Sequence, residues 1–407
     1  MDLNNYQYLE KKETVVIILL FFFSIFIRVP IILLFGDTYL ENEWATLYYN
    51  LTTHGTLALK NFDGYLLPNL WMPPLYAYYI YFFSFFKLEQ QNFILLILFS
   101  QVMLASISIV IFYKINKIFF TNRLSIFNSF LFSLFPLYAY ACSQISSVSL
   151  YIFLVVFFYY FFFQLTNKTK FLSIFLFSFI AGLLILTRRE FLAVFILSSS
   201  YLFLFFKIPI KKIILIILIT LITTSPYLIR NFIIFEKITI QAGFGYNLWK
   251  ANNPKAKVEG YLLVSDELQK KINKVPKDKF YRINEDKIYL NQAINYLKDD
   301  PKKYFILYIK KIISFLLIDI DSSQNNYYYP LHYIPILFLG ITSLLGIIVS
   351  NKKSYKLNYL ILIFFLYIAI FSIFALLPRY KLSIIPLQII FTGVFLNYIK
   401  NKFYKKI

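Results

Sequence analysis

Three carboxylates stand close together in the sequence, directly after an apolar run of transmembrane length. They are Asp37, Glu41 and Glu43, within the segment Phe35 to Trp44. A carboxylate near a membrane surface can act as a general base toward a hydroxyl nucleophile, because burial raises its pKa and a nearby cation keeps it ionised. Asp37 and Glu41 are expected to share one face of a helix, and Glu43 is not. The alternative is that these acids are solvated loop residues or cap a helix.

Arginine is rare in this chain, which contains 34 lysines and 7 arginines. The guanidinium group binds phosphate or carboxylate through a planar fork that an ammonium group lacks, so the retained arginines are candidates for that chemistry. The alternative for each is snorkelling toward the headgroups, or pairing with acids such as Glu190 and Glu236. Five of the seven are expected at or near the outer ends of membrane spans: Arg28, which lies about two turns below the surface, and Arg188, Arg189, Arg230 and Arg379.

Several kinds of site are excluded or disfavoured by composition. His54 and His332 are the only histidines, and a lone histidine is more often structural than a metal ligand. The single cysteine, Cys142, excludes an intramolecular disulfide and a cysteine-built metal cluster. No Ser-His-Asp order, Walker loop or dinucleotide-binding glycine pattern occurs, and 10 glycines argue against nucleotide-cradling loops.

The elements that must position these residues are membrane-spanning helices. The chain is 59% hydrophobic and 21% aromatic, with a mean hydropathy of +0.64, whereas soluble domains are about 45–50% apolar. Apolar runs of roughly 17 to 25 residues, long enough to cross a bilayer, recur along the chain. We predict an all-α polytopic membrane protein with about ten spans, at residues 14–35, 92–113, 125–141, 147–166, 171–187, 190–206, 212–229, 331–350, 357–377 and 382–399.

Basic residues orient these spans. With the amino terminus inside, the turns at 114–123, 168–170, 207–212 and 352–356 and the carboxyl-terminal tail are all cytoplasmic and all basic. This parity requires that the apolar segment Lys303 to Asp319 lies in the membrane interface, as the aromatic run Pro73 to Phe86 is also expected to do. The net charge of +21 therefore reflects topology, and a nucleic-acid partner is not expected.

The predicted spans and outer loops divide the chain into three parts. Residues 1–235 form an amino-terminal transmembrane module, whose first outer loop, 36–91, carries the acids. Residues 236–302 form a small extracytoplasmic subdomain, with a helix predicted from Glu285 to Leu297. Residues 303–407 contain the interfacial helix and the carboxyl-terminal spans.

A series of short motifs, in family order from about residue 20 to 390, resembles the GT-C superfamily of membrane glycosyltransferases. The similarity is greatest to the bacterial branch that is similar to protein O-mannosyltransferases and the lipid A aminoarabinose transferase. The motifs are Arg28 in the first span, Gly36-Asp37, Glu43-Trp44, Met72-Pro73-Pro74-Leu75-Tyr76, Thr187-Arg188-Arg189-Glu190, Pro226-Tyr227-Leu228-Ile229-Arg230-Asn231-Phe232, Gly245-Tyr246-Asn247-Leu248-Trp249, Asn252-Asn253-Pro254, and Pro378-Arg379-Tyr380-Lys381 with Pro386.

The resemblance implies a GT-C-like fold and a hexosyl- or pentosyltransferase. Such an enzyme takes a sugar from a polyprenyl-phosphate donor and transfers it, usually with inversion, to a glycan, lipid or protein acceptor. It implies a multi-pass protein of the bacterial inner membrane with an extracytoplasmic active site. Asp37 is then the catalytic acid of the first loop and Glu43 the second recurrent acid, and Arg188, Arg230, Arg379 and Lys381 hold the donor phosphate. Glu41, His54 and Tyr380 are further candidates.

Relatives often carry a further acid or a metal-binding residue in the second outer loop. Here that loop, Tyr140 to Ser147, contains no carboxylate. This departure argues against a metal-assisted mechanism, and we predict no certain cofactor.

Two other functions fit parts of the pattern. A transporter or lipid flippase also needs many spans and cations for an anionic lipid, but it usually places ionisable residues at mid-membrane. This chain keeps nearly all its charges at or near the span ends. A ligase-type enzyme that uses polyprenyl-linked glycans is the other alternative, for which a very long outer loop late in the chain is typical.

Overall fold

The apolar runs fold into helices, joined by loops that gather on two opposite faces. The computed structural model describes residues 3–62, 64–323, 328–351 and 353–404. Residues 352 and 405–407, which belong to two of the basic segments, lie outside this part of the chain. The amino-terminal elements are α1 Leu3–Phe35, α2 Asn42–His54, β1 Ala58–Phe62, β2 Tyr65–Pro68, α3 Pro74–Ser84, α4 Gln90–Asn116, α5 Asn122–Leu134, α6 Pro136–Ala141, α7 Val148–Asn167, α8 Phe171–Thr187, α9 Phe191–Leu204 and α10 Ile210–Phe235.

Strands β1 and β2 form one antiparallel hairpin, with Phe62 opposite Tyr65. The second half of the chain begins with short helices and continues with long apolar ones. The remaining helices are α11 Phe244–Ala251, α12 Asp266–Asn273, α13 Tyr281–Asp299, α14 Pro301–Leu316, α15 Pro330–Ile348, α16 Tyr355–Phe371, α17 Pro378–Lys381 and α18 Ile385–Tyr404.

Each of the ten predicted spans falls on one of these helices, or on the pair α5 and α6. Five helices in the described residues, α1, α4, α7, α10 and α15, are long and apolar enough to cross a membrane unaided. Helices α8, α9 and α16 are apolar but shorter. The protein is therefore a multi-pass, all-α membrane protein, as predicted, and the number of ten crossings stays a prediction.

The predicted span 125–141 is broken. Helix α5 ends at Leu134, Phe135 is extended, and α6 begins at Pro136. Proline has no backbone N–H and disfavours helical geometry in the preceding residue, which explains a break at this position. The short helix α6 packs against α1, α15 and α17. It therefore brings the loop that follows it, residues 142–147, next to the end of α1.

The acidic segment after α1 is not helical, so the expectation that Asp37 and Glu41 share a helix face is wrong. Helix α1 ends at Phe35, where the Gly36 N–H still donates to the Ile32 carbonyl at 3.0 Å. A Cβ on Gly36 would lie 2.2 Å from that carbonyl oxygen and 2.9 Å from Leu98 of α4. Only glycine fits where α1 ends against α4, and the chain leaves the helix there.

One face of the helix bundle carries all the long connections. We call it the loop face, and it comprises residues 36–62, 64–89, 142–147, 188–190, 236–323, 328–329 and 372–384. On the opposite face the short basic turns meet, for example where Lys117 pairs with Glu13 at 2.5 Å and Lys356 donates to Asn167 at 2.9 Å. The acids and the candidate arginines near span ends therefore belong to one side of the molecule.

The predicted helices of the loop face are present. Helix α3 covers most of the run from Pro73 to Phe86, and α13 contains the segment from Glu285 to Leu297. Helix α14 begins at Pro301, buries Tyr304, Leu307 and Lys311, and exposes Phe305, Ile309 and Ile313 along its other side. That pattern suits the predicted position at a membrane interface.

Candidate functional site

Asp37 is fixed between two loops. Its backbone N–H donates to the Ser143 carbonyl at 2.9 Å, and its Oδ2 accepts the Ile145 N–H at 2.6 Å. The side chain is half-buried. Burial raises the pKa of the Asp37 carboxyl, the hydrogen bond from Ile145 opposes that rise, and the charge of Glu41 adds to it. The group is thus a carboxylate with one oriented oxygen and a pKa above that of a solvated aspartate.

The other acids and His54 lie elsewhere on the loop face. Glu41 is exposed and accepts a hydrogen bond from Tyr39, which raises the pKa of that tyrosine. Glu43 is exposed in the first turn of α2, and its charge acts on Tyr246 of α11. His54 ends α2, with its ring 6.2 Å from the ring of Tyr49. Only Glu41 of these three acts on Asp37.

Arg188 is buried with part of its hydrogen-bonding capacity unused. It follows the last residue of α8, with 8% of its surface exposed, and its Nη1 has no hydrogen-bond partner. The guanidinium carbon lies 4.6 Å from the ring centre of Tyr151 and 5.4 Å from that of Tyr380. The two rings hold the cation through its faces and leave its edge for an acceptor.

Tyr380 lies beside both Arg188 and Arg379, and two lysines are near this pair, Lys250 through Arg379 and Lys381 as the next residue of the chain. The Tyr380 ring centre is 5.7 Å from the guanidinium of Arg379. Lys250 of α11 is close enough for the charge of Arg379 to lower its pKa, after the larger effect of burial. Lys381 is buried, and its Nζ donates to the Leu317 carbonyl at 2.5 Å. Burial lowers the pKa of Lys381 to about 7, against the opposing charge of Asp319. We call Arg188, Lys250, Arg379 and Lys381 the cation cluster.

The other candidate arginines are engaged with the protein itself. Arg230 donates to the carbonyls of Asn69 and Leu57 and to the side chain of Asn231, and Arg189 donates to the Gln241 carbonyl at 3.0 Å. Arg28 is fully buried over the ring of Tyr138, where its Nη1 donates to the hydroxyls of Ser24 and Ser133, while its Nε and Nη2 have no hydrogen-bond partner. Of the five arginines, the structure brings Arg188 and Arg379 together.

An apolar groove of about 560 Å³ lies between α6 and the start of α15. Its walls are Pro136, Leu137 and Tyr140 on one side and residues 329–332 on the other. Lys381 is close enough to His332, at one end of these residues, for the two groups to interact electrostatically. The groove therefore leads to the cation cluster.

No metal-binding group emerges from the described residues, among which no set of three or more His, Cys, Asp or Glu side chains could hold an ion. At Asp37, the neighbouring loop presents the Ile145 N–H to the carboxylate. Asp37 is therefore a single oriented carboxylate, and no ready-made set of protein ligands surrounds it in the part of the chain that the structure describes.

No protein-family model and no curated protein sequence matches the chain. Solved structures do. The oligosaccharyltransferase of Archaeoglobus fulgidus, crystallised with Zn and sulfate, superposes over 95% of this chain with a TM-score of 0.55 and 13% identity. The same organism's AglB, in complex with an inhibitory peptide and a dolichol-phosphate, gives 0.55 and 12% over 98% of the chain. This chain has the GT-C fold.

The chain spans about half the length of those oligosaccharyltransferases, 49% and 52% of them. ArnT from Cupriavidus metallidurans, bound to undecaprenyl phosphate, aligns over 98% of this chain and 78% of its own, with 11% identity. Its TM-score of 0.41 is too low to support a fold assignment. The predicted GT-C-like fold is confirmed by the oligosaccharyltransferase match.

Within this GT-C fold, sequence reasoning missed the residues that hold the others in place. Asn69 organises the turn before α3, since its side chain binds both N–H groups of Trp71 and Met72 and the Met72 carbonyl. Gln101 of α4 binds the loop beside Asp37. A polar residue inside an apolar run was the available signal for Gln101. Lys250 carried no signal among so many lysines.

Proposed function

We propose that this protein is an integral membrane glycosyltransferase. It moves a hexosyl or pentosyl group from a polyprenyl-phosphate donor to an acceptor hydroxyl on the extracytoplasmic face of a bacterial inner membrane. The observation that carries the proposal is the buried, incompletely bonded Arg188 at the centre of a cation cluster, on the same face as Asp37. The dolichol-phosphate of the AglB structure supports a lipid-phosphate ligand for this fold.

The donor phosphate fits the cation cluster. A buried N–H without a partner costs roughly 1–3 kcal/mol, and an anionic phosphate oxygen that accepts it removes that cost. Arg188 offers such an N–H, while Arg379 is exposed and able to approach a second oxygen. The isoprenoid chain then lies in the apolar groove between α6 and α15, which ends beside Lys381. The cluster stabilises the charge that develops on the leaving phosphate.

Asp37 supplies the base. Its carboxylate removes the proton of the acceptor hydroxyl as the hydroxyl oxygen attacks the anomeric carbon from the face opposite the phosphate. The bond from the anomeric carbon to the phosphate oxygen breaks, the electron pair leaves with the polyprenyl phosphate, and the configuration inverts. Burial raises the pKa of Asp37 toward that of a useful base, and the Ile145 N–H keeps the ionised form oriented.

Glu43 and the remaining candidates have supporting roles in this proposal. Glu43 lies beside Tyr246, where it is placed to bind a hydroxyl of the acceptor or of the sugar. Tyr380 separates the guanidinium groups of Arg188 and Arg379 and so spaces two like charges. Arg230 holds the first outer loop through the carbonyl groups of Asn69 and Leu57, and in this proposal it does not contact the donor. The proposed step needs no metal, because Asp37 accepts the proton and the cation cluster stabilises the leaving phosphate.

The donor sugar is tested with a panel of donors. Purified protein is incubated with polyprenyl phosphates that carry different hexoses and pentoses, and the released polyprenyl phosphate is measured. We expect release from at least one donor, and none from the Asp37→Asn variant at equal expression and membrane insertion. Near-normal turnover by Asp37→Asn contradicts the assignment of the base.

A wild-type protein that releases polyprenyl phosphate from no donor contradicts the whole proposal. In that case the transporter or flippase alternative is favoured, and it is checked by movement of a labelled lipid across proteoliposomes. Sidedness is tested separately with reporter fusions after Lys353 and Lys356. A cytoplasmic signal there is expected, and an external one removes the extracytoplasmic site.

A further inference from the structure

The orientation of Asp37 depends on a segment with little secondary structure of its own. Residues 142–147, between α6 and α7, supply both the carbonyl of Ser143 and the N–H of Ile145 that bind Asp37. The side chain of Gln144 also donates to the Phe35 carbonyl at 3.3 Å. A loop of six residues between helix ends has few internal contacts to fix it, so its position must be imposed by neighbours.

Gln101 fixes the position of residues 142–147 through hydrogen bonds. It lies in α4 and is fully buried, and its Nε2 donates to the carbonyls of Cys142 at 3.2 Å and Gln144 at 3.0 Å. Its Oε1 accepts the hydroxyl of Tyr76 at 2.9 Å. A glutamine amide has two N–H groups and one carbonyl, so this arrangement uses both donors and the acceptor. The two carbonyls it binds flank Ser143 and precede Ile145.

Tyr76 holds Gln101 in turn. Its side chain is 1% exposed, and its ring packs edge-on against Trp44 at 4.8 Å and stacks on Tyr79 at 5.5 Å. The first outer loop thus reaches the 142–147 segment by two routes, directly through Asp37 and indirectly through Trp44, Tyr76 and Gln101.

We infer that Gln101, steadied by Tyr76, is a positioning residue that holds segment 142–147 so that the Ile145 amide meets the Asp37 carboxylate. The inference rests on the proposed function of Asp37 as the base. Gln101 does not touch Asp37, and it acts through two backbone carbonyls and the loop between them.

Loss of the Gln101 hydrogen bonds should change the pH dependence of kcat. A hydrogen bond to the ionised form lowers a carboxyl pKa, so a displaced Ile145 N–H raises the pKa of Asp37 further. The base is then protonated at a higher pH, and the acidic limb of the pH–kcat profile moves upward. The titratable groups that act on or near Asp37 are Glu41 and Tyr39 from its own segment and Tyr76 from α3. Gln101 itself does not titrate.

The test compares Gln101→Met with Tyr76→Phe, and uses Gln388→Met as a matched control. Gln388 is a buried glutamine of α18 whose Nε2 has no partner. Misplacing a catalytic group by about 1 Å costs on the order of 100-fold in rate, so we expect kcat to fall about 10- to 100-fold in Gln101→Met and less in Tyr76→Phe. Donor KM should stay unchanged, and the acidic limb should move to higher pH in both variants but not in the control.

A second measurement needs no turnover. Cys142 is the only cysteine of the chain and is fully buried, with its carbonyl bound to Gln101. Maleimide should label it slowly in the wild type and in Gln388→Met, and faster in Gln101→Met, because the loop is released. The labelling experiment decides whether Gln101 holds residues 142–147, even if the protein turns over no donor and the proposed function is wrong.

The outcomes separate the two proposals. Faster labelling together with an active wild type, a lower kcat and a shifted acidic limb supports the inference. A Gln101→Met variant with wild-type labelling overturns it, whatever the activity. Faster labelling with unchanged kcat and pH profile also overturns it, since the loop then does not govern Asp37.

Discussion

Arg230 and Arg188 lie on the same face of the molecule and were candidates for the same task, but their surroundings differ. The Nη1 of Arg230 donates to the Asn69 carbonyl at 2.8 Å and to the Asn231 side chain at 2.7 Å, and its Nη2 donates to the Leu57 carbonyl at 3.4 Å. Arg188 is more deeply buried, sits between two tyrosine rings, and has an Nη1 without any partner.

The difference shows how to separate structural arginines from those free to bind a ligand. Arg230 adds charged hydrogen bonds to two carbonyls of the first outer loop, which also accept from the Tyr227 hydroxyl and the Asn69 N–H, so it contributes to the stability of that loop. Arg188 has a buried guanidinium edge that no protein group satisfies, and such an edge is stabilised only when something else accepts from it. The fork geometry makes a phosphate oxygen a suitable acceptor.

The largest expected effect is on Arg188. In Arg188→Met, the loss of a charge-assisted hydrogen bond worth about 1.5–3 kcal/mol should lower kcat/KM for the donor roughly 10- to 100-fold. The thermal unfolding midpoint should not fall, because a buried cation without a counter-charge is removed. Donor titrations and a thermal scan measure both. A stability loss with unchanged kinetics would place Arg188 with Arg230 among the structural arginines.

Arg379→Lys should have the next largest effect. Arg379 is exposed, and lysine keeps its charge but replaces a bidentate fork by a point charge. We expect donor KM to rise several-fold in Arg379→Lys. Arg379→Gln also removes the charge, and we expect the additional rise in donor KM to be smaller than the rise caused by Arg379→Lys. An unchanged donor affinity would indicate that Arg379 only snorkels toward the headgroups.

The pH dependence of donor binding tests Lys381. Burial lowers the pKa of its amine to about 7, so Lys381 is a cation below that pH and loses its charge above it. Donor KM should therefore rise as the pH increases through neutrality, and the rise should vanish in Lys381→Arg. A bound phosphate favours the charged form, so the pKa of Lys381 should be higher in the donor complex than in the free protein. A flat KM profile would remove Lys381 from the donor site.

Arg230→Met should have the smallest kinetic effect and a clear effect on stability. It removes the hydrogen bonds of Arg230 to the Asn69 and Leu57 carbonyls, at a cost of roughly 0.5–1.5 kcal/mol for each. The unfolding temperature should fall while donor KM changes less than about twofold, equivalent to about 0.4 kcal/mol. A large rise in donor KM at normal stability would return Arg230 to the phosphate site and contradict the comparison.

Much of this arrangement was predictable, and the part that was not has a physical reason. The helix end at Gly36-Asp37 follows from an apolar run that stops at a glycine, and the shared face of the acids follows from the basic turns. The break at Pro136 was readable from the proline, but the apolar residues around it concealed it.

The contacts that sort the arginines were not predictable. Whether Arg230 meets the Asn69 carbonyl depends on how a hairpin folds back from sequence positions more than 150 residues away. Arg28 showed the same limit, because the sequence placed it about two turns below the outer surface but could not reveal its serine partners or its two nitrogens without a partner. Sequence spacing identifies a cation near a span end, but only the three-dimensional neighbours show whether its N–H groups are already used.

The most direct test of this account is equilibrium binding of sugar-free polyprenyl phosphate to the purified wild type, Arg188→Met and Arg230→Met. Saturable binding by the wild type, about 10- to 100-fold weaker binding by Arg188→Met and near-normal binding by Arg230→Met is the predicted result. Equal binding by all three proteins, or no saturable binding by the wild type, would contradict a lipid-phosphate site at the cation cluster.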